Sequence, residues 1–239
     1  MPDLPFVTTD EMREVDRVMV AEYRIELIQM MENAGYSLSA FIRERFFAGD
    51  PRGRRVLAVC GTGSNGGGGL VCARRLHAWG TSVRVLTVHP PDRFMGVPEH
   101  QLDIVQRLPI PLTHAGQPTV LGDFDLVVDA MIGYGLDGPP REDTSRLIGL
   151  ANDLGPNVVS LDVPSGLDAT TGETPGEAIR ATATLTLALP KTGLAAAGAL
   201  DYVGELWVAD IGVPPELYRA TAPGVDVGPV FANAPFRRV

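Results

Sequence analysis

The apolar residues of this chain recur with two spacings, and each spacing predicts one kind of secondary structure. Before residue 50 they follow helical spacing, which predicts two helices, the first opened by a capping box between Thr8 and Glu11. After residue 55, short runs rich in β-branched residues alternate with helical segments. These runs predict buried strands at residues 56–60, 83–88, 126–130, 158–161, 184–189 and 206–208. Helices are predicted between several of the strands, at residues 99–108, 144–153 and 176–181.

This alternation of strands and helices indicates an α/β fold. It is typical of a mostly parallel sheet that is covered by helices on both faces. A chain of 239 residues with 45% hydrophobic residues can bury a full core, and we predict a single domain over residues 1–239. The Pro- and Gly-rich tail at residues 214–239 shows little periodicity, which predicts an irregular surface segment.

The most specific stretch joins the first predicted strand to the helix after it, where six glycines fall between Gly61 and Gly69. Glycine lets the backbone approach a ligand closely, and the first amides of a helix attract anions. Residues 61–66 also fit the dinucleotide pattern G-x-G-x-x-G, so we predict a ligand-binding turn here, with a turn that binds nothing as the alternative. Two features differ from standard nucleotide sites. No acidic residue ends the next strand to hold a ribose, and no Lys-Ser or Lys-Thr follows the glycines as in a Walker A loop.

Polar residues mark the ends of three later strands. Asp129 and Asp162 each end a strand beside a glycine-containing loop, and Lys191 follows a third strand. Ligands of open parallel sheets bind outside the carboxyl ends of the strands, so we predict that these loops and the glycine turn share one crevice. Either aspartate alone would more simply be a satisfied loop carboxylate, and Lys191 a solvated residue. Two carboxylates beside glycine turns favour a functional site.

Composition narrows the classes of partner and compartment. The net charge is −9 and the basic residues are scattered, so no electrostatic footprint for nucleic acid or an anionic membrane is present. Cys60 and Cys72 show no metal or redox spacing and are predicted to be reduced core residues. The N-terminal sequence lacks the pattern of a secretion signal, and no apolar stretch reaches the roughly 18 residues of a membrane span. These features predict a cytoplasmic protein.

Five motifs, in this order, resemble the YjeF N-terminal domain family, the NAD(P)H-hydrate epimerases, and the resemblance covers nearly the whole chain. They are Met-Glu-Asn-Ala-Gly at 31–35, the glycine stretch at 61–69, Asp-Ala-Met-Ile-Gly at 129–133, Asp-Val-Pro-Ser-Gly-Leu at 162–167 and Pro-Lys-Thr-Gly-Leu at 190–194. In the first motif, Asn33 is predicted either to serve a ligand or interface, or to sit beside close helix packing at Gly35.

The resemblance implies a three-layer Rossmann-like domain, usually a homodimer, that interconverts the R and S hydrates of NADH and NADPH at C6 of the damaged nicotinamide ring. It implies that Asp162 contacts the substrate and acts in catalysis. It also implies a bound potassium ion, with Asn65, Asp129 and Ser165 as its ligands. The dinucleotide is expected on two loops and on Lys191; the loop residues are Ser64, Asn65, Gly66, Gly67, Gly68, Gly133, Tyr134, Gly135, Leu136, Asp137, Gly138 and Pro139.

The glycine loop departs from the family pattern at two positions. The family usually has Asn-Asn-Gly-Gly-Asp-Gly, whereas this chain has Ser64 in place of the first Asn and Gly68 in place of the Asp. The loss of one amide and one carboxylate leaves open a second function, a dinucleotide-binding sensor or scaffold module with weakened catalysis. Many bacterial members carry a dehydratase domain after this one, and here we expect a separate dehydratase to act on the product.

Overall fold

The computed structural model describes residues 4–118, 121–221 and 224–239. Within them an eight-stranded sheet lies between layers of helices. Two helices come first, α1 Thr9–Ala21 and α2 Leu27–Phe46. The strands are β1 Arg55–Cys60, β2 Ser82–Thr87, β3 Leu112–His114, β4 Leu126–Ala130, β5 Val158–Leu161, β6 Ala183–Leu187, β7 Glu205–Ala209 and β8 Phe236–Arg238. The other helices are α3 Ser64–Ala78, α4 Gly96–Gln106, α5 Glu142–Leu154, α6 Leu200–Val203 and α7 Pro215–Ala220.

The topology of the sheet places a crevice beside β1. The strand order is β3-β2-β1-β4-β5-β6-β7-β8, and every neighbouring pair is parallel except β7 with β8. The chain moves outward in one direction from β1 to β3 and then in the opposite direction from β4, so the order reverses between β1 and β4. A reversal of this kind opens a crevice at the carboxyl ends of the two strands. Asp129 lies there, paired in register with Val59 on one side and Ser160 on the other.

Each strand face is buried against a different helix layer. Val56, Ala58 and Cys60 of β1 pack with α2, α3 and α4, whereas Leu57 and Val59 pack with α5. Because successive side chains of a strand point to opposite faces, burial on both faces requires the continuous apolar runs seen in the sequence. Helices α1 and α7 form a separate cluster that packs against the N-terminal part of α2 and the segment after β6.

Most predicted elements are confirmed, including the capping box of α1, where the Glu11 amide donates to Thr8 Oγ1 and the Thr8 amide donates to Glu11 Oε2. The helix predicted at residues 176–181 is wrong. The amides of Ile179 and Ala181 donate to the carbonyls of Ser165 and Tyr202, so they bond to neighbouring loops instead of to a helical turn.

The tail after residue 214 is more ordered than predicted. Helix α7 packs on α1, and β8 pairs antiparallel with β7. Phe236 of β8 packs edge-on against Phe41 at 5.4 Å between ring centroids. Strands of three residues, such as β8 and β3, show no measurable periodicity, and they form because an existing sheet edge supplies partners.

The two cysteines are buried and unpaired, as predicted. Cys60 and Cys72 are free and buried, and burial raises the pKa of both thiols. Throughout the described part of the chain, no helix combines the length and the apolar character needed to cross a membrane.

Candidate functional site

A cavity of about 580 Å³ lies at the carboxyl ends of the central strands. Its walls come from the loops after β1, β4, β5 and β6, as the sequence predicts, and from one side of α1 and α2. Eight of the predicted site residues line it: Ser64, Asn65, Gly68, Gly133, Tyr134, Gly135, Asp162 and Lys191. Four loops that are distant in sequence therefore converge on one space.

Asp162 follows β5 with an uncommon backbone conformation, φ = 68°, in the left-handed region. Its Oδ1 atom accepts from Lys191 Nζ at 2.6 Å, from the Leu187 amide at 3.3 Å and from Thr186 Oγ1 at 3.3 Å. Its Oδ2 atom accepts from the Tyr134 amide at 3.2 Å. Strained backbone of this kind persists where surrounding contacts fix it, and it is concentrated at functional sites. Oδ1 is thus fixed by three hydrogen bonds within the protein. Oδ2 accepts only one from the described residues, so it can accept a further hydrogen bond from a ligand in the cavity that Asp162 lines.

Lys191 is fully buried, so the alternative of a solvated lysine is wrong. Besides Asp162, its Nζ donates to the Leu187 carbonyl at 2.8 Å and lies 5.7 Å from the Tyr134 ring centroid. The backbone on either side of Lys191 is pinned to Val7, whose amide donates to Pro190 O and whose carbonyl accepts from the Thr192 amide. A buried ammonium needs a paired charge and satisfied hydrogen bonds, and Asp162 supplies the charge.

Asp129 and Ser165 lie beneath the cavity and do not line it. Asp129 Oδ2 accepts from Ser160 Oγ at 2.8 Å and the Ser165 amide at 2.9 Å, while Oδ1 accepts from Ser165 Oγ at 2.6 Å and the Met131 amide at 3.2 Å. Burial raises the pKa of the Asp129 carboxyl, and the hydrogen bonds from Ser165 and Ser160 oppose that rise. Asp129 therefore ties the loops after β4 and β5 together.

Asn65 carries an unsatisfied atom at the cavity wall. Its Nδ2 donates to the Leu161 carbonyl at 3.2 Å, but its buried Oδ1 has no hydrogen-bond partner among the described residues. Gly133 lies opposite: a Cβ there would be 3.3 Å from Asn65 Oδ1 and 3.1 Å from Asp162 Oδ2. Glycine at 133 leaves room beside both oxygens.

The four consecutive glycines are helical and do not form the turn that the sequence predicts. Helix α3 begins at Ser64, and its N-cap Gly63 provides no side-chain cap. A Cβ on Gly67 would lie 2.4 Å from Met31 Sδ, and one on Gly69 would lie 2.5 Å from Ala130 Cβ. The run lets α3 pack tightly against α2 and β4, while Gly63, Ser64 and Asn65 at the uncapped helix start line the cavity.

The other predicted site residues lie away from the cavity. Gly66 and Gly67 are buried within the packing of α3. Leu136 is half-buried, and Asp137, Gly138 and Pro139 are exposed on the far part of their loop. Their contact with a ligand stays a prediction.

The motif at residues 31–35 packs helices together. A Cβ on Gly35 would lie 2.4 Å from Val71 Cβ, so α2 and α3 are in close contact there. Asn33 Nδ2 donates to the Ile211 carbonyl at 3.1 Å and does not line the cavity. Glu32 accepts from Arg74 at 2.5 Å and Arg75 at 2.8 Å. Of the two interpretations of Asn33, helix and loop packing agrees with these contacts.

Helix α1 also contributes to the cavity, although the sequence patterns did not indicate it. Met12, Asp16 and Val20 line the cavity at intervals of four residues, which places them on one side of the helix. Asp16 Oδ2 accepts a hydrogen bond from the Tyr134 hydroxyl. In the sequence, Asp16 lies between Met12 and Val20 on the apolar side of a predicted amphipathic helix. A carboxylate at such a position is the signal that could have identified Asp16 as a site residue.

Comparisons with known proteins identify a family and several similar chains. The family model described as "YjeF-related protein N-terminus" matches residues 27–193. The chain is 42% identical to an NAD(P)H-hydrate epimerase of Dehalogenimonas lykanthroporepellens, covering 89% of this chain and 84% of that protein. It is 37% identical to an NAD(P)H-hydrate epimerase of Truepera radiovictrix, covering 95% and 97%.

Two further comparisons concern chain length and fold. A bifunctional NAD(P)H-hydrate repair enzyme of Moorella thermoacetica is 40% identical over 88% of this chain, which spans 41% of that relative. The crystal structure of the yeast protein ynu0 covers 99% of this chain with a TM-score of 0.80 at 22% identity, which shows the same fold. With a family match over more than half its length and relatives at this identity, the chain belongs to the family of YjeF-related N-terminal domains.

Proposed function

We propose that this protein is an NAD(P)H-hydrate epimerase, an isomerase that interconverts the R and S hydrates at C6 of the nicotinamide ring. The observation that carries the proposal is the buried Asp162–Lys191 pair, with Nζ 2.6 Å from Oδ1, in the wall of a cavity large enough for a nicotinamide nucleotide. Relatives with this name are 33–42% identical to the chain.

Epimerisation at C6 requires a proton to be given and then recovered. When the hydroxyl leaves, its oxygen takes a proton and departs as water; when water returns on the other face, a proton is released. Asp162 carries the exchangeable proton on Oδ2, the oxygen with spare capacity toward the cavity, while Lys191 Nζ donates to Oδ1 and orients the carboxyl group. Asp162 donates to the departing hydroxyl and accepts from the returning water. Proton transfer of this kind contributes on the order of 10²–10⁴-fold to a rate.

The uncapped start of α3 suits the phosphates of the dinucleotide. Its first amides have no side-chain partner, no acidic residue lies in its first turn, and Gly63, Ser64 and Asn65 line the cavity. Helix starts of this kind bind phosphate through amides and the helix dipole. An overall charge of −9 makes such local binding necessary, because no basic cluster is available to attract the phosphates.

We propose a potassium ion next to Asn65, with Asp129 and Ser165 as further ligands. The support is the chemistry of the donors: the buried Asn65 Oδ1 lacks a partner, and amide, hydroxyl and carboxylate oxygens suit a hard cation. Asp129 already accepts four hydrogen bonds, two on each oxygen, so coordination there would replace one of the Ser165 contacts. When bound, the ion would supply positive charge that offsets the carboxylates and fixes the loop after β1.

The function is tested by giving the purified protein the separated S and R hydrates and following their interconversion by chromatography. We expect Asp162→Asn to lose most of the rate, since asparagine tolerates positive φ but cannot transfer the proton. Rates are normalised to folded protein, and Asp103→Asn, at an exposed ion pair on α4, is the control. Equal rates for Asp162→Asn and wild type would refute the assignment of Asp162.

The same assay tests the alternative of a binding module. Saturable binding without interconversion above the spontaneous rate would favour a sensor or scaffold. Gly68→Asp would then test which departure removed activity. A Cβ at residue 68 would lie 2.8 Å from Leu161 Cδ2, so Gly68→Asp is best combined with Leu161→Val. The single variant Leu161→Val is then the control.

Ion binding is tested by melting the protein in potassium and in tetramethylammonium buffers. An ion at 100 times its dissociation constant stabilises by about 2.7 kcal/mol. Asp129→Ala should abolish the difference between the buffers. Identical melting temperatures and ligand affinities in the two buffers would show that no specific ion binds.

The remaining parts of the proposal concern assembly and context. We propose a cytoplasmic homodimer, as expected from the family resemblance and the composition. We also propose that a dehydratase consumes the product, since several relatives are named bifunctional repair enzymes. Light scattering on the eluted protein measures the assembly, and a mass of one chain, 25.5 kDa, would refute the dimer.

A further inference from the structure

The charges that line the cavity do not balance. Among the described residues its charged lining consists of Asp16, Asp162 and Lys191, so two carboxylates face one ammonium. Lys191 pairs with Asp162 at 2.6 Å, while Asp16 forms no ion pair with any residue the structure describes. Asp16 is therefore the cavity carboxylate that lacks a direct ion pair in the part of the chain that the structure describes.

Asp16 is placed by its own hydrogen bond and not by a cation. Its Oδ2 accepts from the Tyr134 hydroxyl, and Oδ1 has no hydrogen bond within the described ranges. Burial raises the pKa of the Asp16 carboxyl, and the hydrogen bond from Tyr134 opposes that rise. Burial, together with the Asp16 carboxylate, raises the pKa of the Tyr134 hydroxyl, so the phenol stays a donor.

The helical side of the cavity is apolar apart from Asp16. Its lining there includes Met12 and Val20 on α1 and Leu27 and Met30 on α2. A charge in such surroundings acts through a weakly screened field, so the Asp16 carboxylate can influence a charge that develops elsewhere in the cavity.

The proposed reaction creates a positive charge in this cavity. As the C6–O bond breaks, its electron pair leaves with the oxygen, which takes the proton and becomes water. The lone pair of the ring nitrogen forms a double bond to C6, and the ring becomes a cation. Water then adds to C6 from the other face, its proton returns to the enzyme, and the ring is neutral again. The neutral ground state thus passes through a cationic intermediate.

We propose that Asp16 is a further catalytic residue, the carboxylate that stabilises the nicotinamide cation formed as C6 loses its hydroxyl. This inference rests on the proposed function for its substrate. Asp162 is compensated by Lys191 and handles the proton, so the two aspartates have separate tasks. An interaction that strengthens only as charge develops lowers the barrier without tightening substrate binding.

The test compares dinucleotides with a cationic and a neutral ring. Calorimetry measures the affinities of oxidised NAD, whose pyridinium ring is cationic, and of reduced NAD, whose ring is neutral. We expect Asp16→Asn to reduce the ratio of oxidised to reduced affinity about tenfold, and kcat for epimerisation roughly 10- to 100-fold with KM little changed. Asparagine keeps an acceptor for the Tyr134 hydroxyl, so the loop remains attached.

Two other variants separate charge from structure. Tyr134→Phe removes the hydroxyl but leaves the Asp16 charge, so the affinity ratio should keep its wild-type value even if both affinities change. Glu14→Gln removes a carboxylate from the surface of the same helix, where it pairs with Arg17, and should change neither ratio nor kcat.

Three results would overturn the inference. The first is an unchanged ratio of oxidised to reduced affinity in Asp16→Asn. The second is a loss of both affinities in Asp16→Asn that is matched by the loss in Tyr134→Phe. The third is failure of the wild type to bind either dinucleotide. Wild-type protein that binds both dinucleotides but does not epimerise would refute the proposed function instead. The affinity ratio would still decide whether Asp16 recognises a cationic ring.

Discussion

Replacing Lys191 with methionine should destabilise the protein strongly, because it leaves the Asp162 carboxylate buried without its counter-charge. Lys191 is 0% exposed and Asp162 is 3% exposed, so water cannot solvate the remaining charge. Breaking a buried pair by removing one partner costs about 3–5 kcal/mol. At about 2–4 °C per kcal/mol for a chain of this size, the melting temperature should fall by roughly 6–20 °C.

A double-mutant cycle isolates the pair itself. Asp162→Asn combined with Lys191→Met removes both charges, so the combined loss should be smaller than the sum of the two single losses by about 1–3 kcal/mol. Urea unfolding at neutral pH measures all four proteins. Arg107→Met serves as the control. It removes an exposed pair with Asp103, at 2.9 Å, and should cost less than about 1 kcal/mol.

Either of two results would refute the energetic role assigned to the buried Asp162–Lys191 pair. A loss no larger for Lys191→Met than for Arg107→Met would show that the buried charge is compensated by some other group. Strict additivity in the cycle would show that Asp162 and Lys191 do not interact energetically, and the proposal that Lys191 orients Asp162 for proton transfer would lose its basis.

Packing and composition lead to three further predictions. Gly35→Ala should lower the free energy of unfolding in urea by about 1–3 kcal/mol, because its Cβ would lie 2.4 Å from Val71 Cβ. The control Gly149→Ala on α5, where a Cβ would meet nothing within 4 Å, should raise it by about 0.5–1 kcal/mol. A similar response at both sites would contradict the assigned packing. Cys60 and Cys72 should resist a thiol reagent in the native protein and react in denaturant, because burial raises their thiol pKa, and rapid labelling of folded protein would contradict their burial. Because no acidic residue ends β2 and the basic residues are scattered, the hydrates of NADH and NADPH should be used with kcat/KM values within about tenfold, roughly 1.4 kcal/mol. A preference of several hundredfold would reveal an unrecognised specificity element.

Local patterns in the sequence determined the framework of the protein. Continuous apolar runs such as residues 56–60 predicted strands buried on both faces, and the helices between the strands required parallel connections. Since parallel strands end at one edge, the sequence alone places Asp129 and Asp162 at the same side of the sheet. These inferences succeed because side-chain period and burial on a face are properties of adjacent residues.

Only the tertiary structure decided what each buried face meets. The glycines of α3 proved to serve packing because Met31 and Ala130 approach them from other elements, and Lys191 is buried because Asp162 compensates its charge. Asp16 enters the site because α1 packs beside the cavity, a placement that the periodicity of α1 does not specify. Sequence periodicity shows that one face of an element is buried, but it does not identify the residues that cover this face. Those residues come from distant parts of the chain, and packing and charge compensation in three dimensions select them.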